Sequence, residues 1–554
     1  MVDDERPEQS PDAPDTAGAA ETPEASETAA VTEPAESSET EPAETPAPST
    51  EAPEPGENAT PGSLGRTVTV ISLRVVRGLA GMASAAALIA AVGLVPLPTM
   101  GVTPLGTPVE PEPADLLALC PGASLRLGDE TGANAGQAYA VGSPELTIVA
   151  DGEPTRTSLV SGAAEAGPGQ APTALRLAPS ETAALAATQT QHLTGQGGLH
   201  GLAIAGCTEP TSSAWLVGGA TTVGRTTLLL LANPTAVQAE VSVRMWGEAG
   251  PVTAPGMKGI AVPANGQRVL ALSGFAPDLS SPVVHVEARG GQVVAALQTS
   301  IMRVLDPGGL DLVSAGAGPS DRLVIPAVRI ADSLGVSSSL GLEGYDDLEA
   351  ILRVGNPGEA TADVEVSVTP TFAGGVSTSF HLHLAGGRTT DIALATAFEL
   401  GAEPFPDGSY TVTVESNSPV VAAARTSTIP APTTDADGVV QPGGADVAWF
   451  AAAPRLTGDV ALAVADAPGA VLVAAAMDGA VHTVTLTPVD GGEVLTLEVP
   501  GVGSVALPVE SGAGYHVRGA RGVALALSFA DEGAIAGYVL RSPRAADTML
   551  VVRP

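Results

Sequence analysis

Two histidines one residue apart, His381 and His383, sit in an alternating stretch that would project both imidazoles from one face of a strand. Such a pair could begin a metal site, but the spacing marks no third ligand. Exposed strand histidines are the simpler reading, and no metal or cofactor is expected. The acidic run Glu343-Gly344-Tyr345-Asp346-Asp347-Leu348-Glu349 offers carboxylates for Ca²⁺, or else a solvated acidic linker. Trp215, Trp246 and Trp449 are the tryptophans, and a flat indole face suits a pyranose ring. Trp215 and Trp449 lie in apolar stretches and read as core. Trp246 follows Val241, Val243 and Met245 in an alternating strand, so by parity it faces outward beside Gly247. It is the candidate surface-binding residue.

Catalytic signatures are missing. The sequence holds no Gly-x-Ser-x-Gly, His-Glu-x-x-His or Ser-x-x-Lys, and its one lysine, Lys258, follows no phosphate-cradling loop. The 61 acidic and 24 basic residues give a net charge of −37, which excludes nonspecific binding to nucleic acid. No catalytic residue is assigned and no nucleic-acid partner is expected.

The elements that would carry these residues fall into regions. Residues 1–65 hold 17 acidic residues against Arg6, are rich in Pro, Ala and Thr, and read as a disordered cytoplasmic tail. Arg66, Arg74 and Arg77 precede an uncharged run over 78–95. The segment 66–98 therefore reads as a basic flank and a single transmembrane helix, oriented with the N-terminus in the cytoplasm. An uncleaved anchor is favoured over a cleaved signal, because some 77 residues come first. Everything beyond is then extracytoplasmic, where Cys120 and Cys207 should pair; two buried free thiols are the alternative.

Past residue 98 the chain repeats itself. Leu230-Leu231-Ala232-Asn233-Pro234 recurs as Arg353-Val354-Gly355-Asn356-Pro357, and the Ala-acid-Val-x-Val that follows matches too. Val293-Val294-Ala295-Ala296 answers Val420-Val421-Ala422-Ala423, and a diverged copy closes the chain. The repeat-defining residues are Asn233, Pro234, Asn356 and Pro357. The expected domains are a Cys-containing β-rich region at 99–212 and β-sandwich repeats at 213–330, 331–455 and 456–554. Period-two alternation between Gly, Asn and Asp turns predicts strands with one face in a core and one in water. The fold class is mainly β, with tandem immunoglobulin-like sandwiches after a disordered tail and one membrane helix. Residues 179–187 are the best candidate for a short helix, with Ser180 as N-cap.

This layout resembles an actinobacterial family of secreted or membrane-anchored proteins of unknown function. It combines an N-terminal anchor, Cys120, Cys207-Thr208-Glu209-Pro210 leading into Ala214-Trp215-Leu216-Val217, and then the Asn-Pro repeat. The resemblance implies a bacterial envelope and brings no catalytic residues. The expected function is a non-enzymatic, membrane-anchored extracytoplasmic scaffold, touching membrane lipid through its helix and binding an envelope protein or cell-wall glycan. The alternatives are a wall-polysaccharide-processing enzyme and a receptor signalling through a phosphorylated tail.

Overall fold

Alternation builds the strand Ala239–Gly247. Ala239, Val241, Val243 and Met245 are buried, while Glu240 and Arg244 are exposed. The same pattern forms Ala362–Pro370 and His482–Pro488. The computed structural model describes residues 107–552 apart from 110–113, 129–133, 181–183, 304, 343, 376, 395–404, 435–439, 442 and 544–549. These residues belong to one unit, 103–554.

Three successive stretches share one strand order. With the strands of each numbered one to eight along the chain, one antiparallel sheet runs 1-6-3-4 and the other 5-2-7-8. In the first repeat, strands 1, 2 and 3 are Ser213–Val217, Arg225–Asn233 and Ala239–Gly247, and strand 8 is Asp306–Ser314. Strand 4 is there in two pieces, both paired to strand 3. In the second repeat, strand 1 is Ser320–Ile330, strand 2 is Ile351–Gly355 and strand 8 is Asp446–Ala451. Strands 6 and 7 are continuous as Gly408–Thr428, which passes from one sheet to the other. The third repeat runs from Val460–Ala463 to Ala534–Val539.

The two sheets of each repeat face each other across an aliphatic core. In the first repeat Leu229, Leu231 and Leu297 from one sheet meet Val241, Val243 and Val286 from the other. The 5-2-7-8 sheets also bury their outer faces. Leu228 and Leu230 pack with Leu310 and Leu312 against Leu125, Ala203 and Ala205 of the N-terminal region. In the third repeat Val473, Ala475, Ala524 and Ala526 pack against Val324, Ala327, Ala451 and Ala453 of the second. Such strands read as continuous apolar runs because both sides leave water.

The N-terminal region is built differently, from a three-stranded sheet that includes Leu116–Cys120, a hairpin starting at Ser124–Leu127, and the three-stranded sheet around Leu185–Thr194. Four buried glutamines hold its main chain between residues 121 and 125. Gln189 bonds both the N–H and the carbonyl of Gly122, and Gln191 accepts from Ser124. Gln267 donates to the Pro121 carbonyl, and Gln298 bonds both groups of Leu125. Side-chain amides thus supply the pairing that a neighbouring strand would give.

Three expectations need correction. Among the described residues no helix is long and apolar enough to cross a membrane. The expected span at 66–98, with Arg66, Arg74 and Arg77, lies outside the described residues, as does the tail at 1–65. The fold class with a transmembrane helix, the single-pass localisation and the lipid contact are therefore not supported. Second, the immunoglobulin order places the first strand beside the second and the seventh beside the sixth. Here these outer strands are exchanged, with the first beside the sixth and the seventh beside the second. Third, the helix expected at 179–187 is not formed where the chain is described: Leu185–Thr194 is a strand paired on both edges. Ala and Leu favour helix locally, but burial of Ala187, Thr188 and Gln189 between two strands overrides that preference.

Candidate functional site

The cleft that stands out has a volume of about 720 Å³ and lies where the N-terminal region meets the first and third repeats. Its walls are aliphatic. Leu116 and Leu117 come from the strand Leu116–Cys120, Leu185 and Ala187 from Leu185–Thr194, and Val460 and Leu462 from Val460–Ala463. The strands at Leu116–Cys120 and Val460–Ala463 are both sheet edges.

Charged groups of both signs share the lining, Asp151, Glu209 and Asp459 against Arg518 and Arg541, with His516 among them. His516 Nε2 lies 3.2 Å from Asp151 Oδ1, joining the third repeat to the N-terminal region. Asp459 accepts from the Gly519 N–H at 3.1 Å, and Arg541 donates to the carbonyls of Ala315 and Gly316. Cys207 lines the cleft and is disulfide-bonded to the buried Cys120.

Two strands of the lining lead away from the cleft to a buried acidic centre. The strands His200–Gly206, Asp306–Ser314, Asp446–Ala451 and Ala534–Val539 come one from each part of the structure, and all four are sheet edges or outermost strands. Each packs against two of the others, closing a ring. Asp446 sits inside it. Its Oδ2 accepts from Leu202 at 2.8 Å and Ile535 at 3.1 Å, and its Oδ1 from Leu310 at 3.1 Å and its own neighbour Val447 at 2.9 Å. Gly201 makes room, since a side chain there would collide with the carboxylate. Asp311 accepts from Trp449 N–H at 2.7 Å and Leu312 N–H at 2.9 Å. Both acids are wholly buried, and loss of hydration pushes Asp311 up to about 8, with the Asp446 charge adding to it. Burial raises Asp446 to about 7 against the opposing pull of its four N–H donors.

A second charged knot joins the first and second repeats. Arg353 is almost fully buried and binds both oxygens of Asp391, at 2.7 and 2.8 Å. It also donates to the carbonyls of Gly219, Ser280 and Pro282. Its guanidinium stacks 4.5 Å from the Trp449 ring centroid, and Arg425 lies 6.0 Å from the same ring. Burial holds Arg425 down to about 10.

A family model described as a family of unknown function (DUF5719) matches residues 163–510. The chain belongs to this family. No curated protein matches it. The DUF5719 match takes in Leu202, Leu310 and Asp446 of the acidic centre, while Ile535 lies beyond it. It brings no assigned site residues, so the chemistry rests on this chain's own geometry.

The residues singled out by sequence fall in separate places. Trp246 is buried, and this corrects its reading as a surface-binding residue. It does leave the core side of its strand, but its ring stacks 5.3 Å from Trp215 and is covered. Trp215 in turn stacks 4.2 Å from His285, whose Nε2 meets Ser213 Oγ at 2.9 Å. Burial, with Arg244 beside it, lowers His285 to about 4 and keeps the ring neutral. His381 and His383 do share an open groove, where His383 Nδ1 lies 2.6 Å from Asp363. Among the described residues no group of three or more metal-ligating side chains forms. Asp347 is bound by Arg225 at 2.5 Å and Arg303 at 2.9 Å, which makes that acidic run part of a joint between repeats.

Asn233 and Asn356 perform the same task in two repeats. Each donates from Nδ2 to a carbonyl four residues on (Val237, Ala360) and to a more distant one (Val262, Leu384). Each also accepts through Oδ1 from the N–H two residues on. Pro234 and Pro357 follow them in the turn. Sequence reasoning missed Asp446 and Asp311, because a lone Asp in an apolar strand looks like any exposed acid until its neighbours are known.

Proposed function

We propose that this protein is a non-enzymatic extracytoplasmic binding protein of the bacterial envelope, holding an extended segment of a partner protein in the cleft. The observation that carries this reading is the lining: aliphatic walls, edge strands and charges of both signs. Edge strands can pair with an added strand, and alternate side chains of that strand then enter apolar walls. A glycan fits less well. The described lining holds no Trp or Phe, and its Tyr538 is 8% exposed with its hydroxyl committed to the Ala463 carbonyl. With the His516 ring held against Asp151, no open phenol or indole face is left for a sugar to stack on. The disulfide suggests an extracellular location. The receptor alternative depended on a membrane-spanning helix and is not carried forward.

The test is site-specific photocrosslinking in cells that make the protein, with the crosslinking residue at Leu117 in the cleft or, as control, at the exposed Val502. Polypeptide adducts are expected from position 117 and not from 502, and Arg518→Glu should reduce them. Equal adducts from both positions, or adducts that are carbohydrate alone, would overturn the proposal.

A further inference from the structure

The acidic centre and the cleft are two ends of the same strands. Leu202 and Ile535 both donate to Asp446 Oδ2. Four residues further along each strand, about 13 Å away at the usual rise, Gly206 and Val539 line the cleft. The two strands remain in contact there: a side chain on Gly206 would come within 3.1 Å of the Tyr538 ring. Tyr538 in turn bonds the carbonyl of Ala463, which also lines the cleft. One carboxylate therefore fixes the separation of the strands His200–Gly206 and Ala534–Val539 at one end, and at the other that separation sets the cleft floor.

The geometry points to Asp446 as the positioning residue of the cleft. It touches no occupant. It acts by holding four main-chain N–H groups, three of them from other parts of the fold, at the length of a hydrogen bond. An aliphatic side chain at 446 would leave those donors buried without acceptors, so the strands must separate or admit water. The titratable group that faces the carboxylate electrostatically is Asp311 on Asp306–Ser314, and the His200 ring on His200–Gly206 lies against Gly444. His200 is lowered by burial and then by His192. Fixed main-chain donors, rather than a cation, thus do the holding.

The inference rests on the cleft being the binding site, so its test reads the cleft without any partner. Spin labels are placed through Asp115→Cys, before the strand Leu116–Cys120, and Asp459→Cys, on the facing repeat, and their separation is measured by pulsed electron resonance. The otherwise native chain should give one narrow distance. Asp446→Ala should shift it by at least one residue's rise, about 3 Å, or broaden it. Asp446→Asn, which retains one acceptor oxygen, should give a smaller change of the same kind and keeps the test available where Asp446→Ala does not fold. Leu486→Ala, which removes apolar contacts from the core of the third repeat but no acceptor, is the control for general loss of stability and should leave the distance unchanged. An unchanged distance in Asp446→Asn, or an equal change in Leu486→Ala, overturns the inference. A shifted distance in a protein whose crosslinking at 117 is unaffected keeps Asp446's positioning role and removes the cleft as the partner site.

Discussion

Leu230 of the first repeat and Arg353 of the second occupy the same place in the second strand, three residues before the paired Asn233 and Asn356. Both are almost fully buried. Leu230 meets Leu125, Ala203 and Leu312, while Arg353 meets Asp391, three carbonyls and an indole. The difference follows from what each outer face covers. Leu230 lies against the aliphatic sheet of the N-terminal region. Arg353 lies against the loop ends of the first repeat, where the carbonyls of Gly219, Ser280 and Pro282 need donors. One backbone position thus supports an apolar joint or a polar one, and the neighbour decides which residue type is stable there.

The comparison extends to the eighth strands, where Asp311 and Asp446 stand in the first and second repeats, and this pair carries the largest expected effect. Both acids titrate above the ordinary carboxylate range, so the folded chain keeps protons that the unfolded chain releases. Their contribution to stability should fall as pH rises from about 4 and level off above the folded-state values near 7 and 8. Denaturation of the native chain and Asp311→Asn at fixed pH values would show it as a flatter profile in the variant. Parallel profiles would break the assignment.

Next in size is the contrast between the joints themselves. Asp391→Ala leaves the Arg353 charge buried without its partner and should cost about 4 kcal/mol. Leu230→Ala removes apolar contacts and leaves a cavity, at about 3 kcal/mol. A retained acceptor separates the two: Asp391→Asn still accepts from the Arg353 guanidinium and should lose less than Asp391→Ala, whereas Leu230→Asn buries a polar group and should lose at least as much as Leu230→Ala. Urea midpoints that rank the two joints alike would erase the distinction. The smallest effect tests sameness. Asn233→Ala and Asn356→Ala each strand comparable main-chain groups, so each should lose about 2 kcal/mol. A large inequality in urea midpoints would mean that the matching bonds do different work.

How much of this could be read from the sequence follows from which faces meet water. Ala239–Gly247 and Ala362–Pro370 alternate because one side stays wet, so their registers were legible. Arg225–Asn233 and Ala534–Val539 are buried on both sides, and an unbroken apolar run carries no parity to read. The pairing of Cys120 with Cys207 was legible because only two cysteines exist. Trp246 was misjudged because parity states which face a ring leaves by, not whether Trp215 already covers that face. The cleft was invisible, since its walls come from segments more than 250 residues apart.

The donors gathered by Asp446 reach from Leu202 to Ile535. A ribosome makes the chain from the N-terminus, so the last of these donors emerges only after the first two repeats are complete. Until then His200–Gly206 and Asp446–Ala451 each lack one of their two neighbours in the ring, and bare strand edges are where newly made chains adhere to one another. Synthesis of the third repeat is therefore the step that ends this exposure. A transcript truncated within it should yield aggregate rather than a shorter version of the same protein.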